Sequence, residues 1–417
     1  FQEAKRLFEA ASSSNYRPGR LSHGDGDRLV QQAGTRLRAM SRHLDENHDL
    51  VVGLFDDLVN NTVGDGIGVD PMVLTKDRKL HVEFNAELAR LYVEWCEAPE
   101  TTGELTMVPA ERMIARSLFR DGEMFLQMVR DPQFRYQTRV PFVLDMLEAD
   151  FCPLEYTDPG LGVMQGVQRS AWGTPLNYFF FKQHPGAWGS MSTQIALTDL
   201  VRKPAGSILH PKMCKRLKQG RGVPVIHAVI NRLRDVKDYE ESERIAAKVA
   251  ADMTGFIQRN MDAGAGAARI ADGKRQMRMT AGMIYELGPG ETIGTLKSDR
   301  PNTGLEAFRN AMLRAVAAGT GTRFSSIARS YDGTYSAQRQ ELVEGVVAYR
   351  ALFAYLVGAV HSKMWKAFVE TAVLGGLVKV PGVIDRTTLS RAEFRAPALP
   401  WIDPLKEAEA RSEEHTS

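Results

Sequence analysis

The chain has 417 residues, 43% hydrophobic and 25% charged, which is the composition of an ordinary globular protein that can bury a sizeable core. Its formal net charge of +2 excludes a strongly basic, histone-like DNA binder. Its three cysteines are widely spaced and form no CxxC pair, which argues against a disulfide framework or a zinc knuckle and favours a reducing compartment.

The first part of the chain predicts a flexible arm followed by helices. Residues 1–27 include a stretch rich in Ser, Gly and Asp and are predicted to form a flexible N-terminal arm. Apolar residues at intervals of three and four then predict helices over about 28–62, 81–98 and 109–121. Pro109 lies near the first turn of the last helix, where its missing N–H costs least.

The pattern changes at about residue 122. Short apolar or alternating runs separated by Gly, Pro and Asp predict a strand-rich region over 122–182, and 208–210 predicts one more short strand. Residues 224–260 then predict an unbroken helix, which is long for a globular protein. Such a helix is either kinked or acts as a spanning strut.

The last part of the chain alternates irregular segments with helices. Residues 261–302 are irregular and rich in Gly and Ala, 303–319 predict a helix, and a loop leads to a long helix over 336–370. Residues 351–362 are uncharged but too few to span a membrane, which takes about twenty, so we predict a buried helix there and no membrane partner. The final residues, 411–417, are predicted to be a non-native tail.

The sequence contains no pattern that predicts catalysis, a cofactor or a metal site. The glycine-rich runs at 64–68 and 288–294 lack the spacing of phosphate-binding loops and are interpreted as turns. The run at 22–27 lacks the length and terminal Glu of a calcium loop. There is no HExxH and no GxSxG sequence, and the paired carboxylates are predicted to lie on solvated helix faces.

The clearest electrostatic feature is the stretch 202–234, which holds many Lys and Arg residues and no Asp or Glu. Such a block suits either the phosphates of nucleic acid or an acidic partner subunit. Aromatic residues do not interleave with it, so any nucleic-acid contact is expected to be to the backbone of a duplex. The candidates for subunit or phosphate contact are Lys212, Lys215, Arg216, Lys218 and Arg221.

Several ordered segments resemble the lambda-type portal proteins of tailed bacteriophages, and together they extend over about 28–410. The first is the helix SRHLDENHDLVVGLFDDLVNNTVGDGI, which ends in a Val-Gly turn, and the next joins His210 and RGVP to a long helix. The departures are SAQR from residue 336, where the family favours Ser-Ser-x-Arg, and an end just after DPLKEAEA, where the family continues. The matching segments are 41–67, 208–251, 287–321, 331–350 and 401–410.

The resemblance implies a helix-rich α+β subunit with a truncated crown. The regions it implies are a wing over 28–222, a stem helix over 223–260, a clip over 261–302, a second stem helix over 303–319, and a channel loop, long helix and start of the crown over 320–410. Clip contacts with partner proteins are then expected from a second, weaker basic cluster. Its members are Arg269, Lys274, Arg275 and Arg278.

The family also implies a homo-oligomeric ring, typically of twelve subunits, at one capsid vertex. Its implied partners are double-stranded DNA, the terminase large subunit, head-completion and tail connector proteins and the major capsid protein. The implied locations are the virion and, during assembly, the host cytoplasm. The residues expected near the channel are Arg323, Arg329, Tyr331, Tyr335 and Arg339.

Ring closure is expected to use head-to-tail contacts, with the basic stretch 202–234 as one face. Its acidic counterpart would be 241–243 or 45–49. Two alternatives remain, a non-catalytic scaffold or adaptor without a channel and a DNA-processing enzyme, of which the enzyme lacks clustered carboxylates or a phosphate loop. A ring with a central hole in electron micrographs would distinguish the portal from both.

Overall fold

The computed structural model describes residues 24–131, 133, 138–187, 200–252, 256–259, 291–294, 304–331 and 333–397. Within these ranges, helices alternate with small antiparallel sheets. The chain divides into two compact units, Phe1–Ala228 with Ala317–Ser417 and, separately, Val229–Val316. The arm to residue 23, most of the clip region and the tail 411–417 lie outside the described residues.

Four helices open the first unit, and their ends follow from local chemistry. The Asp25 side chain accepts a hydrogen bond from the backbone N–H of Arg28 at 2.8 Å and so caps the first helix. The helical region expected over 28–62 is two helices, because His48 adopts an extended conformation between them. The helices are α1 (Gly26–Asn47), α2 (Asp49–Thr62), α3 (Val82–Trp95) and α4 (Met107–Asp121).

The strand-rich region contributes to two antiparallel sheets, a third small sheet lies outside it, and the expected short strand at 208 is present. The small sheet joins β1 (Gly68–Pro71) to β11 (Ala392–Arg395). The three-stranded sheet has the order β3-β2-β8 and the four-stranded sheet the order β4-β5-β6-β7. Their strands are β2 (Met124–Val129), β3 (Val143–Glu148), β4 (Val163–Met164), β5 (Val167–Arg169), β6 (Pro175–Phe181), β7 (Leu200–Pro204) and β8 (Ile208–Leu209).

Aromatic side chains fill two cores of the first unit. Phe125 of β2 lies edge-on to Tyr178 and Phe180 of β6, with ring centroids 5.7 and 5.1 Å apart, and so joins the two larger sheets. In the helical core, the Trp95 ring stacks on Phe142 at 5.5 Å, and its indole N–H donates to the Phe142 carbonyl at 2.6 Å. These rings are buried, which removes a large apolar area from water.

The second unit contains α5 (Ile230–Asp252), the antiparallel pair β9 (Phe256–Arg259) and β10 (Glu291–Gly294), and most of α6 (Leu305–Thr320). The helix expected over 224–260 is therefore shorter than predicted. It begins after a 3₁₀ turn at Val225–Ala228 and ends at Asp252. The sequence after it contains Thr254, Gly255 and Ile257, which disfavour helix, and this explains the early end.

The expected long helix is one run with a change of winding. It consists of α8 (Tyr335–Leu356), a π-helical turn over Val357–His361 and α9 (Ser362–Leu374), and the loop before it contains the short helix α7 (Phe324–Ala328). The segment 351–362 is helical as predicted, but the prediction that it is buried was wrong for one side of the helix. Leu356 and Val360 are buried, but Ala351, Ala354, Tyr355 and Gly358 are exposed.

Two glycines allow the chain to cross itself where α4 enters β2. Gly122 has φ +84°, and a Cβ added to it would overlap the backbone of Val223. A Cβ on Gly222 would in turn overlap the carbonyl oxygen of Gly122. Only glycine allows so close an approach of the two backbones, and this approach brings Gly222 to the carboxylate of Glu123.

Replacing Gly222 with alanine is expected to lower the free energy of unfolding by at least about 2 kcal/mol, because the two backbones must move apart. Urea denaturation followed by circular dichroism measures this loss. The matched control is Gly53→Ala in α2, where a Cβ meets nothing within 4 Å. The control should keep the wild-type stability or gain up to about 1 kcal/mol, and equal losses in both variants would contradict the account.

Candidate functional site

The Glu123 carboxylate is the centre of a buried ionic cluster. Glu123 immediately precedes β2 and is 0% exposed. Its oxygens accept hydrogen bonds from Arg221 Nε at 2.9 and 3.0 Å, from Arg38 Nη2 at 2.9 Å and from the backbone N–H of Gly222 at 2.8 Å. His210 Nε2 lies 3.0 Å from the same carboxylate. One side chain thus joins α1, β2 and the loop that follows β8.

Electrostatics explain how the cluster tolerates burial. Burial alone would raise the pKa of Glu123, but Arg221, His210 and Arg38 outweigh it and hold that pKa well below its usual range. Burial lowers the pKa of His210 to about 4, so its imidazole is neutral near pH 7 and donates to Glu123 from Nε2. The stability that Glu123 contributes is present above the pKa of the unfolded carboxyl and is lost as the pH falls through the folded pKa.

Arg221 belongs to this cluster, which corrects its assignment as a subunit or phosphate contact. It is 1% exposed, and beyond Glu123 it donates to the carbonyl oxygens of Gln165 at 2.5 Å and Cys152 at 2.9 Å. Its guanidinium also lies over the Phe125 ring at 5.4 Å. Because these contacts occupy the side chain inside the fold, Arg221 does not reach a phosphate at the surface.

The basic loop, residues 214–218, carries Lys215, Arg216 and Lys218 of this stretch to the surface. Gln219 shapes it, since its Oε1 accepts from the backbone N–H groups of Lys215 at 3.2 Å and Arg216 at 3.3 Å. Lys215, Arg216 and Lys218 are exposed, and Leu217 between them is 98% exposed. Three of the five predicted residues therefore lie on one projecting turn.

Lys212 has a structural role at the base of this loop. Its Nζ donates to the carbonyl oxygens of Gln219 at 2.9 Å and Gly220 at 2.8 Å. Burial lowers the pKa of Lys212 because the charged form loses water. Its backbone N–H and carbonyl oxygen both bond to the Tyr355 hydroxyl, at 2.7 and 2.6 Å, so the loop is fixed to α8.

The predicted channel residues separate into an anchor and an exposed group. Arg323 Nη2 lies 3.3 Å from Asp57 Oδ1, and its guanidinium lies over the Tyr349 ring at 5.6 Å. The Tyr349 hydroxyl donates to the other oxygen of Asp57. Arg323 therefore attaches the loop before α7 to α2 and α8, and its predicted role as a free channel residue is corrected.

The other predicted channel residues lie near the start of α8. Arg329 is exposed and has φ +52°, where it ends α7 in the left-handed conformation. Tyr331 is 59% exposed, and Arg339 is exposed in the first turns of α8. Tyr335 is the first residue of α8. The clip candidates Arg269, Lys274, Arg275 and Arg278 lie outside the described residues.

The two predicted acidic counterparts differ in accessibility. In the first unit, Asp45 is buried and accepts from Arg116 Nε at 3.1 Å, whereas Glu46 and Asp49 are exposed. In the second unit, Glu241 is exposed and lies 3.6 Å from Arg244. Each acidic segment therefore has exposed carboxylates that could face a basic surface, but Asp45 of the first segment is buried and is excluded.

One group among the described residues has the spacing of a metal site, namely Glu148, Asp150 and His184. Its chemistry does not favour a cation. The backbone N–H of Gly186 points at His184 Nδ1 at 3.0 Å, so the ring proton is on Nε2, the nitrogen that faces Glu148 at 3.3 Å. Arg42 also pairs with Asp150. The group is therefore a set of ion-pair contacts, and two of its members, Asp150 and His184, line a cavity of about 470 Å³.

A second buried polar pair joins the end of the π-helical turn to α4. His361 Nδ1 is 3.5 Å from Glu111 Oε1, and both side chains are almost fully buried. The other oxygen of Glu111 accepts from the backbone N–H of Ile67 at 3.0 Å. Burial raises the pKa of Glu111 to about 8 and lowers that of His361 to about 4, so both are neutral near pH 7.

Sequence reasoning missed both buried clusters, although a signal was available for one of them. Glu111 lies on the apolar stripe of α4, in register with Met107, Ile114 and Leu118. Arg38 lies on the buried side of α1, whose other members are mostly small or polar residues, so apolar periodicity gave no such signal there. A charged residue inside an amphipathic stripe indicates a buried partner, because an unpaired buried charge is costly.

One helical run among the described residues, Ser336–Leu374, is long and apolar enough to cross a membrane by length and composition alone. A single helix of this kind is weak evidence for a membrane. Only 22% of its most apolar window is buried within the chain. The run therefore leaves an apolar surface open on α8.

The sequence matches the family described as phage portal protein, lambda family, over residues 15–352. It is 24% identical to the probable portal protein of Halomonas phage phiHAP-1, in an alignment covering 97% of this chain and 80% of that protein. It is 20% identical to the portal protein of Escherichia phage N15 and 21% to portal protein B of Escherichia phage lambda, over 58% and 63% of this chain. The alignments span about half the length of these two relatives, 51% and 53%.

Two solved structures share the fold. One is a chain from the virion of a native gene transfer agent particle, with a TM-score of 0.53 at 13% identity, covering 93% of this chain and 92% of that one. The other is from the neck of an empty particle of the same kind, computed with C6 symmetry, with the same TM-score and identity, covering 94% and 89%. The likeness confirms the predicted helix-rich α+β class.

Replacing Glu123 with glutamine is expected to lower the free energy of unfolding by about 3–5 kcal/mol, because Arg221 and Arg38 stay buried without a counter-charge. Guanidinium denaturation at neutral pH measures the loss. The control is Arg139→Gln, which removes an exposed ion pair with Glu94 at 3.3 Å and should cost less than about 1 kcal/mol. A Glu123→Gln loss no larger than that of the control would refute the central role of this carboxylate.

The Glu111 pair predicts a pH dependence above pH 6.5. Between its ordinary pKa of 4.5 and the folded value of about 8, folded Glu111 holds a proton that the unfolded chain has lost, so stability falls as the pH rises. His361 has an ordinary pKa of 6.5, so in the unfolded chain it is half protonated at pH 6.5 and almost neutral above about pH 7.5, and it opposes the Glu111 slope only in the lower part of this range. Urea denaturation from pH 6.5 to 8 should show a decline in the wild type that Glu111→Gln reduces. If the free energy of unfolding had the same pH dependence in the wild type and in Glu111→Gln, Glu111 would be ionised in the folded state.

Proposed function

Because the chain belongs to the lambda family of phage portal proteins, we propose that it is the subunit of a ring at one capsid vertex through which double-stranded DNA is packaged and ejected. The observation that carries this proposal is the family match over residues 15–352, supported by an alignment with a probable portal protein over 97% of the chain. The family is structural, and the proposed role requires no bond to be broken.

The proposed regions of the subunit follow the order of its elements. Residues 28–222 form the wing, α5 and α6 the stem helices, and 261–302 the clip. Residues 320–410 supply the channel loop, the long helix and the start of the crown. The separate compact unit Val229–Val316 supports a stem and clip that are distinct from the rest of the subunit.

Passage of DNA requires weak, non-specific contacts, since affinity rises steeply with each neutralised phosphate. The near-neutral chain suits this requirement. Arg329, Tyr331 and Arg339 are the exposed members of the proposed channel group, with Tyr335 beside them at the start of α8. Arg323 supports them by holding the loop to Asp57 rather than by meeting DNA.

The basic loop 214–218 supplies a second proposed contact. Lys215, Arg216 and Lys218 project into solvent, and their charge suits either a phosphate backbone or an acidic surface of a neighbouring subunit. Glu46, Asp49 and Glu241 are exposed acidic residues in the two segments expected to face such a loop.

The proposed partners are those of a portal ring. They are the terminase large subunit, head-completion and tail connector proteins, and the major capsid protein. Arg269, Lys274, Arg275 and Arg278 remain the proposed clip contacts. Twelve subunits is the proposed ring number, which is compatible with the sixfold symmetry stated for the similar neck structure. The proposed locations are the virion vertex and, during assembly, the host cytoplasm.

Size-exclusion chromatography with light scattering, followed by negative-stain electron microscopy, tests the proposed function. The purified chain should form closed rings with a central hole, and it should hydrolyse no ATP with or without DNA. A chain that stays a compact monomer across concentrations and salts would favour an adaptor. Hydrolysis that co-purifies with the chain and scales with its concentration would favour an enzyme.

A further inference from the structure

The outer face of α8 is an exposed apolar stripe. Val343 and Val347 are 53% and 69% exposed, and Ala351 and Ala354, which are also exposed, continue the same side of the helix. These four positions are spaced by four, four and three residues, so they lie on one side of the helix. At the helical rise per residue the stripe is about 16 Å long. Apolar surface arranged in this way on a folded chain indicates a contact that covers it.

The charges beside this stripe are mostly positive. Arg339 and Arg350 are exposed along one flank of it, and Glu344 lies on the other. From Gly345 to Val369 the sequence contains no Asp or Glu, and its only Lys and Arg residues are Arg350, Lys363 and Lys366. A partner for α8 is therefore expected to present an apolar stripe with acidic neighbours.

The outer face of α3 has that chemistry. Val82 and Val93 are 76% and 64% exposed, and Ala86 and Ala89 lie between them on the same side of the helix. This stripe also has a length of about 16 Å at the helical rise per residue. Glu83, Glu87 and Glu94 flank it. Arg90 lies among them and Arg139 pairs with Glu94 at 3.3 Å, so three negative charges against two positive ones leave the flank net negative.

The two stripes do not pack on each other within one chain, since both are exposed. The inner face of α3 packs on α9, with the Tyr92 ring 5.2 Å from the rings of Trp365 and Phe368. The outer stripe of α3 is on the opposite side of that helix, and α8 shows its own stripe to solvent. Only a second copy can bring two such stripes together while both helices keep their buried contacts.

We propose that the apolar stripe of α8 in one copy packs against the apolar stripe of α3 in the next copy, with Arg339 and Arg350 facing the acidic flank of α3. In this contact Arg339 meets the neighbouring copy instead of DNA, which leaves Arg329, Tyr331 and Tyr335 in the channel group. This inference rests on the proposed ring and names the surfaces that close it. The two surfaces are different, so a growing chain of copies has an unpaired α8 stripe at one end and an unpaired α3 stripe at the other until the ring closes. The matched lengths and opposite charges fix the occupant as another copy of this chain.

Cysteine cross-linking tests the contact in the assembled chain. Cys96 and Cys214 are first replaced with serine, while Cys152 is buried and stays. Val347→Cys is then combined with Val82→Cys or with Val93→Cys, since either end of α3 can lie near Val347. A short bismaleimide should give a ladder of dimers, trimers and larger species in at least one of these chains, and none in the single-cysteine chains.

The matched control combines Val347→Cys with Leu161→Cys, which is 53% exposed but lies outside α3. A ladder of equal strength in this control would overturn the proposed contact. Rings in the micrographs with no ladder from either α3 pair would overturn it too, while leaving the portal function standing. Absence of rings from the parent chain at any concentration would overturn both.

Charge reversal gives an independent readout. The variant Arg339→Glu/Arg350→Glu should weaken assembly at least tenfold in concentration, and adding Glu83→Lys/Glu87→Lys to the same chain should restore it. Circular dichroism checks that each variant folds. Failure of the restored chain to assemble better than the first variant would contradict the pairing, as would stable flotation of the wild-type chain with neutral lipid vesicles through α8.

Discussion

The Glu123 carboxylate is the constraint on which the wing-like part of the chain depends. Two arginines and a neutral histidine meet it from separate parts of the sequence, and a backbone N–H completes the set. The close crossing of Gly122 and Gly222 makes this geometry possible, because a side chain at either position would push the two backbones apart. A buried charge with this many partners specifies one arrangement of α1, β2 and the basic loop, since any other leaves charges unpaired.

The buried cluster also determines which basic residues reach the surface. The stretch 202–234 contains only basic charges, but some of them are buried and others are exposed. Arg221 neutralises Glu123 inside the fold and Lys212 fixes the base of the loop, whereas Lys215, Arg216 and Lys218 are carried outward by the turn that Gln219 shapes. The same division separates Arg323, which is paired with Asp57, from the exposed Arg329 and Arg339.

Periodicity and turn residues predicted most helices, the strand-rich middle and the α+β class, because these depend on neighbours along the chain. They did not predict the break at His48 or the end of α5 at Asp252, which are local departures inside strongly helical patterns. The role of Arg221 could not be read from a run of basic residues, since its partner Glu123 is about a hundred residues away and burial is a tertiary property. Glu111 lies on an apolar stripe, so the sequence marked it as unusual without naming its partner, whereas Arg38 lies among small and polar residues and was not marked.

The π-helical turn at Val357–His361 has a geometric consequence for the long helical run. A π turn adds one residue to a turn of helix, so the residues after it are rotated by about 100° relative to an uninterrupted α-helix. α8 exposes an apolar side with Val343 and Val347, whereas α9 beyond the turn buries its large apolar residues, Trp365 and Phe368 among them, and exposes Lys363, Lys366 and Glu370 on one face. The inserted residue therefore changes which side of the helix faces the core. One continuous helical run has an exposed apolar side before the turn and a buried apolar side after it.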